Sequence, residues 1–106
     1  MTQITTNASC IEVKKLERMA FILKTVAHPI RLGVVKVLDK YQKLSVGEIC
    51  DKLGTEQSLT SHHLASMKLK GMLKAKREGK SVYYMIKETE ITKIFSCLER
   101  CNCNMG

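Results

Sequence analysis

Cysteine carries the most reactive side chain in this sequence, and its positions along the chain are uneven. The chain has 106 residues and five cysteines, and Cys97, Cys101 and Cys103 lie within its last ten residues. Positions four apart on a helix share one face, so the thiols of Cys97 and Cys101 are expected together, with Cys103 following where the helix can unwind and fold back. Three thiolates suit a thiophilic ion such as As(III), Cd, Zn or Cu(I). In the structural alternative, Cys101 is a small apolar residue in a helix seam, three positions after Leu98.

The other cysteines form a second-choice sensor, with Cys50 in the middle of the chain and Cys10 near its start. Cys50 by itself is expected to be a buried core thiol, unless Cys10 joins it. The N-terminus lacks the basic and apolar regions of a secretory signal, which predicts a reducing, cytoplasmic location where thiols stay free, metal-bound or redox-active. The same thiols also suit a redox or reactive-sulfur response through a disulfide or polysulfide bridge. The residues leave metal sensing and oxidant sensing open.

A second set of polar side chains lies on one side of a helix predicted between Thr55 and Gly71. The inward face of this helix follows the helical period through Thr60, Leu64 and Met67. The outward side carries short hydrogen-bonding side chains, namely Gln57, Ser58, Ser61 and His62. Such groups suit base edges and phosphates in a DNA major groove. Thr55 is expected to cap the helix, Gly71 to end it in a left-handed conformation, and His63 to be a structural histidine near the inward face.

A basic hairpin is predicted after this helix. Two strand-like runs, residues 72–77 and 81–87, flank the turn residues Glu78 and Gly79. Residues 62–87 hold seven basic residues and one acidic residue, a net +6 of the chain's total of +8. The basic residues on the hairpin are Lys74, Lys76, Arg77 and Lys80. This order is typical of a winged helix-turn-helix, whose natural partner is a polyanion; the alternative is a charged surface kept for solubility.

The hydrophobic pattern predicts four further helices. The first spans residues 11–27, with an apolar stripe at Leu16, Met19, Ala20, Leu23 and Ala27. The second begins at Pro29, and the third begins at Ser45, which matches a capping box with Glu48. The last begins at Glu90. The predicted fold class is therefore mainly α with a small β-hairpin wing, a winged helix-turn-helix in the order ααα(turn)αββα.

A chain of this length is expected to form one domain. Residues 1–10 are predicted to be a flexible arm, residues 11–101 the DNA-binding and dimerisation domain, and residues 102–106 a cysteine-containing tail. No apolar run reaches the roughly 20 residues that a membrane span needs. The first and last helices have apolar stripes beyond what a small winged domain buries. This predicts a homodimer whose two recognition helices lie about 34 Å apart, one DNA turn.

Four motifs resemble those of the ArsR/SmtB family of bacterial metal- and thiol-sensing repressors, over about residues 16–98. AHPIRL at 27–32 is similar to the opening of that family's second helix, SVGEICDKLG at 45–54 to its third helix, QSLTSHHL at 57–64 to its recognition helix, and GMLKAKREGKSVYYMI at 71–86 to its wing. The resemblance implies a homodimeric repressor that binds a double-stranded DNA operator and leaves it when an inducer binds. It also implies DNA contacts by Gln57, Ser58, Ser61 and His62, and contacts to flanking phosphates by Lys76, Arg77 and Lys80.

Two of the family's sensor sites are not matched here. Its arsenic- and cadmium-type members carry a Cys-x-Cys in the third helix, roughly ELCVCDL, where this sequence has GEICDKL. Cys50 matches the second cysteine, but Glu48 stands at the first. The family's zinc site on the last helix uses Asp, His and Glu, and residues 90–100 contain no His or Asp. The C-terminal cysteines therefore stay the first-choice sensor.

An enzyme is not expected from this sequence, which has no Gly-rich phosphate loop, no Ser-His-Asp pattern and no Cys-x-x-Cys motif. A small cysteine-based metal carrier is the alternative of another class, but a carrier would not need the basic helix and wing. An RNA-binding winged domain also fits the charge, whereas the SHHL motif favours duplex DNA. The predicted function is a sequence-specific repressor, released from its operator by a thiophilic ion and needing no cofactor to fold.

Overall fold

A computed structural model describes residues 12–103, of which Leu98 and residues 101–103 are described by their backbone alone. Over this range the chain forms five helices and one three-stranded antiparallel sheet. The elements are α1 (Val13–Thr25), α2 (Pro29–Tyr41), β1 (Leu44–Ser45), α3 (Val46–Leu53), α4 (Gln57–Leu69), β2 (Leu73–Glu78), β3 (Ser81–Ile86) and α5 (Glu90–Cys103). The predicted class, mainly α with a β wing, is confirmed.

The sheet is larger by one strand than the predicted hairpin. Strands β2 and β3 pair in antiparallel register from Leu73 opposite Ile86 to Glu78 opposite Ser81, and Gly79 takes a φ of 63° in the turn between them. Strand β1 then pairs with the other edge of β3, with Leu44 opposite Tyr84. The two residues of β1 are too few for a strand pattern in the sequence. They attach the wing to the link between α2 and α3.

Local hydrogen bonds fix where the helices begin and end. The Nδ1 atom of His28 accepts from the backbone N–H of Ile30, just before Pro29 opens α2. Ser45 and Glu48 form the predicted capping box at α3, with distances of 3.2 Å and 2.9 Å. These contacts satisfy backbone donors that no helical turn can reach.

The predicted cap at Thr55 is wrong. Helix α4 begins at Gln57, and its N-cap residue, Glu56, makes no side-chain capping bond. The Thr55 hydroxyl instead lies 2.6 Å from the hydroxyl of Thr60, which is fully buried. A buried hydroxyl needs a hydrogen-bond partner, and that need outweighs the cap. At the other end, Gly71 takes the predicted left-handed conformation, with a φ of 83°.

The core lies between the helices and the inner side of the sheet. Its buried members are Ile22, Val26, Val34, Val35, Leu38, Leu44, Ile49, Leu64, Met67, Met72, Leu73 and Ile91. Helix α1 enters the core through Ile22, and Val26 follows directly after its last residue, so the predicted stripe is on a different side of α1. Leu16, Met19 and Leu23 are between 42% and 44% exposed. Periodicity identified an apolar face on α1 but not the face that its own chain covers.

Helix α5 continues through Cys103, two residues beyond the predicted end of the domain at residue 101. Its backbone stays helical through Cys103, whereas the three-cysteine hypothesis allowed the helix to unwind and fold back there. None of the helices between residues 12 and 103 combines the length and the hydropathy of a membrane span.

Candidate nucleic-acid interface

Helix α4 separates its two faces as the sequence predicted. Thr60, Leu64 and Met67 have no exposed surface and hold the helix on the core. The other side carries the four predicted contact residues, of which Gln57, Ser58 and His62 are exposed and Ser61 is half-buried. Their hydroxyl, amide and imidazole groups can donate and accept hydrogen bonds to base edges and phosphates. Direct contact of these four side chains with DNA stays a prediction.

Helices α3 and α4 form the helix-turn-helix unit. Gly54 ends α3 in the left-handed region, with a φ of 67°, and its N–H donates to the carbonyl of Cys50. Two further residues lead into α4, so the chain reverses direction quickly. The turn places α4 at the surface with its polar side chains outward.

Arg31 fixes the orientation of α4 against α1 and α2. Its Nε donates to Nδ1 of His63 and its terminal nitrogens donate to Oγ of Ser66 and to the carbonyl of Thr25, each at 3.0 Å. One half-buried guanidinium therefore joins the end of α1, the start of α2 and the middle of α4. Arg31 was not predicted from the sequence, because its partners on α4 lie 32 and 35 positions away.

His63 has the structural role that its inward position predicted. It is 7% exposed, and its ring centroid lies 4.3 Å from that of His28. Burial lowers the pKa of His63 below its ordinary value of 6.5, and coulombic interactions with the neighbouring side chains of His28, Arg31 and His62 lower it further. The neutral imidazole can accept the Arg31 bond, which a protonated ring cannot.

The wing presents its basic residues to solvent. Lys74, Lys76, Arg77 and Lys80 are all exposed. Glu78 forms ion pairs with Lys43 at 2.9 Å and with Lys76 at 3.9 Å. The hydrogen bond from Lys43 lowers the pKa of Glu78, so this carboxylate stays ionised. Lys43 also lies 5.2 Å from the ring centroid of Tyr83, which ties the wing to the link before β1.

The cysteines differ in how much of them the structure describes. Cys50 is buried in α3, as expected for a core thiol, and Cys97 is exposed on α5. Cys10 lies outside the described residues, and Cys101 and Cys103 are described by their helical backbone alone. Among the side chains that are described, no three His, Cys, Asp or Glu residues come close enough to hold a metal ion. Positions 97 and 101 are one helical turn apart in α5, which fits a site with soft sulfur ligands.

A helix-turn-helix with a polar outer face, followed by a basic hairpin, defines a DNA-binding protein of the winged helix-turn-helix class. The sequence pattern of the arsR family of bacterial regulatory proteins matches residues 28–75. The chain belongs to this family, and its relatives are DNA-binding transcriptional regulators and not enzymes.

Similar proteins support this assignment over most of the chain. The transcriptional repressor PagR of Bacillus anthracis is 41% identical over 83% of this chain and 88% of its own length, and its crystal structure gives a TM-score of 0.73 over 82% of this chain and 99% of that one. The transcriptional activator HlyU of Vibrio cholerae is 32% identical over 85% of this chain and 82% of its own length. The crystal structure of the repressor BigR from Xylella fastidiosa is 28% identical, with a TM-score of 0.78 over 84% of this chain and 90% of that one.

Proposed function

We propose that this chain represses transcription as a homodimer on a specific DNA operator and that an inducer sensed at cysteine thiolates releases it. The outer face of α4 carries the proposal, because it sets Gln57, Ser58 and His62 in solvent beside an exposed basic wing. The exposed cations Lys76, Arg77 and Lys80 provide the charge for flanking phosphates.

The outer face of α1 supports the dimer. Val13, Leu16, Met19, Phe21 and Leu23 are each between 42% and 49% exposed. Four of them, at positions 13, 16, 19 and 23, recur at the spacing of one helix face. A second copy that covered this apolar surface would remove it from water, and that burial would stabilise the dimer. A two-fold dimer would then present two copies of α4 about 34 Å apart to successive turns of DNA.

The exposed thiol of Cys97 supports cysteine-based sensing. Cys97 is on α5, and Lys36 on α2 pairs with Glu99 on α5 at 3.3 Å. An ion held by Cys97 and Cys101, with Cys103 from an opened last turn or a second subunit, would change α5 and its contacts with the rest of the domain. As(III), Cd, Zn and Cu(I) are the ions whose chemistry fits thiolate ligands. Cys10 with Cys50 is the second-choice sensor, but the burial of Cys50 makes it harder to reach.

A redox or reactive-sulfur response is the second candidate for release. One solved structure of HlyU from Vibrio cholerae, 32% identical to this chain with a TM-score of 0.74, is described as the reduced protein. An accessible thiol such as Cys97 is also what an oxidant needs.

The test uses fluorescently labelled DNA from the gene's own upstream region. Reduced protein is added to this DNA, and binding is measured by fluorescence anisotropy. Zinc, cadmium, arsenite, copper(I) and a persulfide donor are then added separately. We expect one agent to release the DNA, and we expect Cys97→Ser or Cys101→Ser to prevent that release while Cys50→Ser does not. Release that persists in all C-terminal cysteine variants would move the sensor to Cys10 and Cys50. Protein that holds metal but binds no DNA would support the carrier alternative.

A further inference from the structure

Leu59 is an apolar side chain among polar neighbours on the outer part of α4. In the first two turns of this helix, the exposed or half-buried residues are Gln57, Ser58, Leu59, Ser61 and His62. Leu59 is 44% exposed, whereas the adjacent Thr60 has no exposed surface. Leu59 is also not among the hydrophobic residues that pack on the described core. Folding of the single chain therefore leaves nearly half of the surface of Leu59 in water.

Base pairs offer this side chain one kind of apolar partner. The first residues of a recognition helix are those that contact base edges in the major groove. In that groove the four base pairs present hydrogen-bond donors and acceptors, and the C5-methyl group of thymine is their apolar feature. A leucine between serine and histidine side chains can thus distinguish thymine from the other bases without a hydrogen bond.

We propose that Leu59 is a specificity-determining residue that packs against a thymine methyl group in each half of the operator. This inference rests on the proposed operator binding and deepens it. Leu59 and His62 are three positions apart on α4, so their Cβ atoms are about 5–6 Å apart. Base pairs are spaced by about 3.4 Å. The thymine therefore lies within about two base-pair steps of the group that His62 contacts.

The experiment begins with selection of preferred sites from a pool of random duplexes by the full-length chain. In the selected duplex, each thymine is then replaced singly by uracil, which removes only the methyl group. Binding of the wild type, Leu59→Ala and Leu69→Ala is measured by fluorescence anisotropy. Leu69 is the matched control, because it is a leucine at the far end of α4 and is 87% exposed.

At one thymine in each half-site, removal of the methyl group is expected to lower DNA affinity only when Leu59 is present. The wild type and Leu69→Ala should bind about fourfold more weakly when the methyl group of this thymine is removed. This is the change in affinity expected for the burial of one methyl group. Leu59→Ala binds the unmodified duplex about fourfold or more weakly and is insensitive to uracil at that position. Thermal unfolding of both variants checks that they fold as the wild type does.

Two failures have different meanings. If the selection enriches no sequence, specific DNA recognition by this chain is wrong and the role of Leu59 is wrong with it. If a site is enriched but the wild type tolerates uracil at every thymine, or Leu59→Ala keeps the full uracil penalty, the Leu59 inference alone is overturned. The uracil scan of the wild type tests the inference even if Leu59→Ala does not fold.

Discussion

Helices α1 and α4 have the same length of 13 residues, but they place their apolar side chains in different surroundings. Helix α4 buries its inward face completely, and Arg31 ties its middle to α1 and α2. Helix α1 buries Ile22 and leaves five large apolar side chains between 42% and 49% exposed. The recognition helix is thus fully supported by one chain, whereas α1 has a face that one chain does not cover. The difference fits the proposal that DNA recognition is built within one subunit and that operator affinity depends on a pair of subunits.

The largest expected effect comes from placing charged residues on the exposed apolar face of α1. Met19→Glu with Leu23→Glu places two charges where the proposed partner subunit packs, so the chain should become monomeric. Loss of the linked second half-site should weaken operator binding by about a hundredfold or more. Light scattering after gel filtration measures the mass, and anisotropy measures the affinity.

The control for the α1 variant is Leu69→Glu, which adds a charge at a leucine that is 87% exposed on α4. Its mass should equal that of the wild type. A monomeric wild type, or an α1 variant with the wild-type mass, would contradict the proposed role of α1.

Removal of charge from the wing should have the next largest effect. Arg77→Ala with Lys80→Ala removes two exposed cations from each wing, and binding should weaken by about tenfold for each lost charged contact, whatever the DNA sequence. The slope of log affinity against log salt should become shallower by about 0.9 for each lost phosphate contact. The control is Lys93→Ala on α5, where Lys93 pairs with Glu90 at 3.6 Å. This variant should have the same salt dependence of affinity as the wild type. An unchanged slope in the wing variant would show that the wing does not lie on phosphates.

Arg31→Ala tests how α4 is held, and its main effect should be on stability. The change leaves His63 and Ser66 without their partner, which should lower the free energy of unfolding by about 2 kcal/mol. Urea unfolding followed by circular dichroism measures this difference. Lys36→Ala on the same helix removes only a surface pair with Glu99, so it should change stability by about 0.5 kcal/mol or less. Equal effects of the two changes would refute the structural role of Arg31.

The smallest expected effect is a dependence of stability on pH. The pKa of His63 is lowered in the folded protein, so the unfolded chain takes up this proton first as the pH falls. The contribution of neutral His63 is fully present above about pH 6.5, the ordinary value, and is lost as the pH falls from there through the folded pKa. His63→Gln keeps an acceptor for Arg31 but cannot titrate. Its unfolding midpoint should decline less than that of the wild type between pH 7 and about pH 5; parallel declines would mean that His63 does not carry the effect.

Local patterns were sufficient for the features of α4 and α3 that depend on neighbours in sequence. The period of Thr60, Leu64 and Met67 identified the buried side of α4, and the spacing of Ser45 and Glu48 identified the capping box. Each depends on positions three or four apart, which a sequence shows directly. The exposure of Gln57, Ser58 and His62 follows from the same period.

Features that depend on distant partners were missed or assigned to the wrong place. The bonds of Arg31 to α4 and the pairing of β1 with β3 join residues that are far apart in the sequence. The buried face of α1 was assigned wrongly for another reason. Both the side with Ile22 and the side with Leu16 are apolar. Periodicity finds such sides but does not say which one the chain itself covers. The cysteine sensor stays a prediction, since Cys101 and Cys103 are described by their backbone alone and Cys10 lies outside the described residues.

Sedimentation velocity of the full chain, alone and with a fluorescent operator duplex, tests most directly whether a pair of subunits reads the DNA. We predict a dimer for the protein alone at micromolar concentration and two chains on each duplex at saturation, with no stable complex of one chain. A monomer that saturates the operator at one chain per duplex, with the same affinity as the protein at high concentration, would contradict this prediction. In that case the exposed face of α1 would serve a purpose other than pairing the two recognition helices.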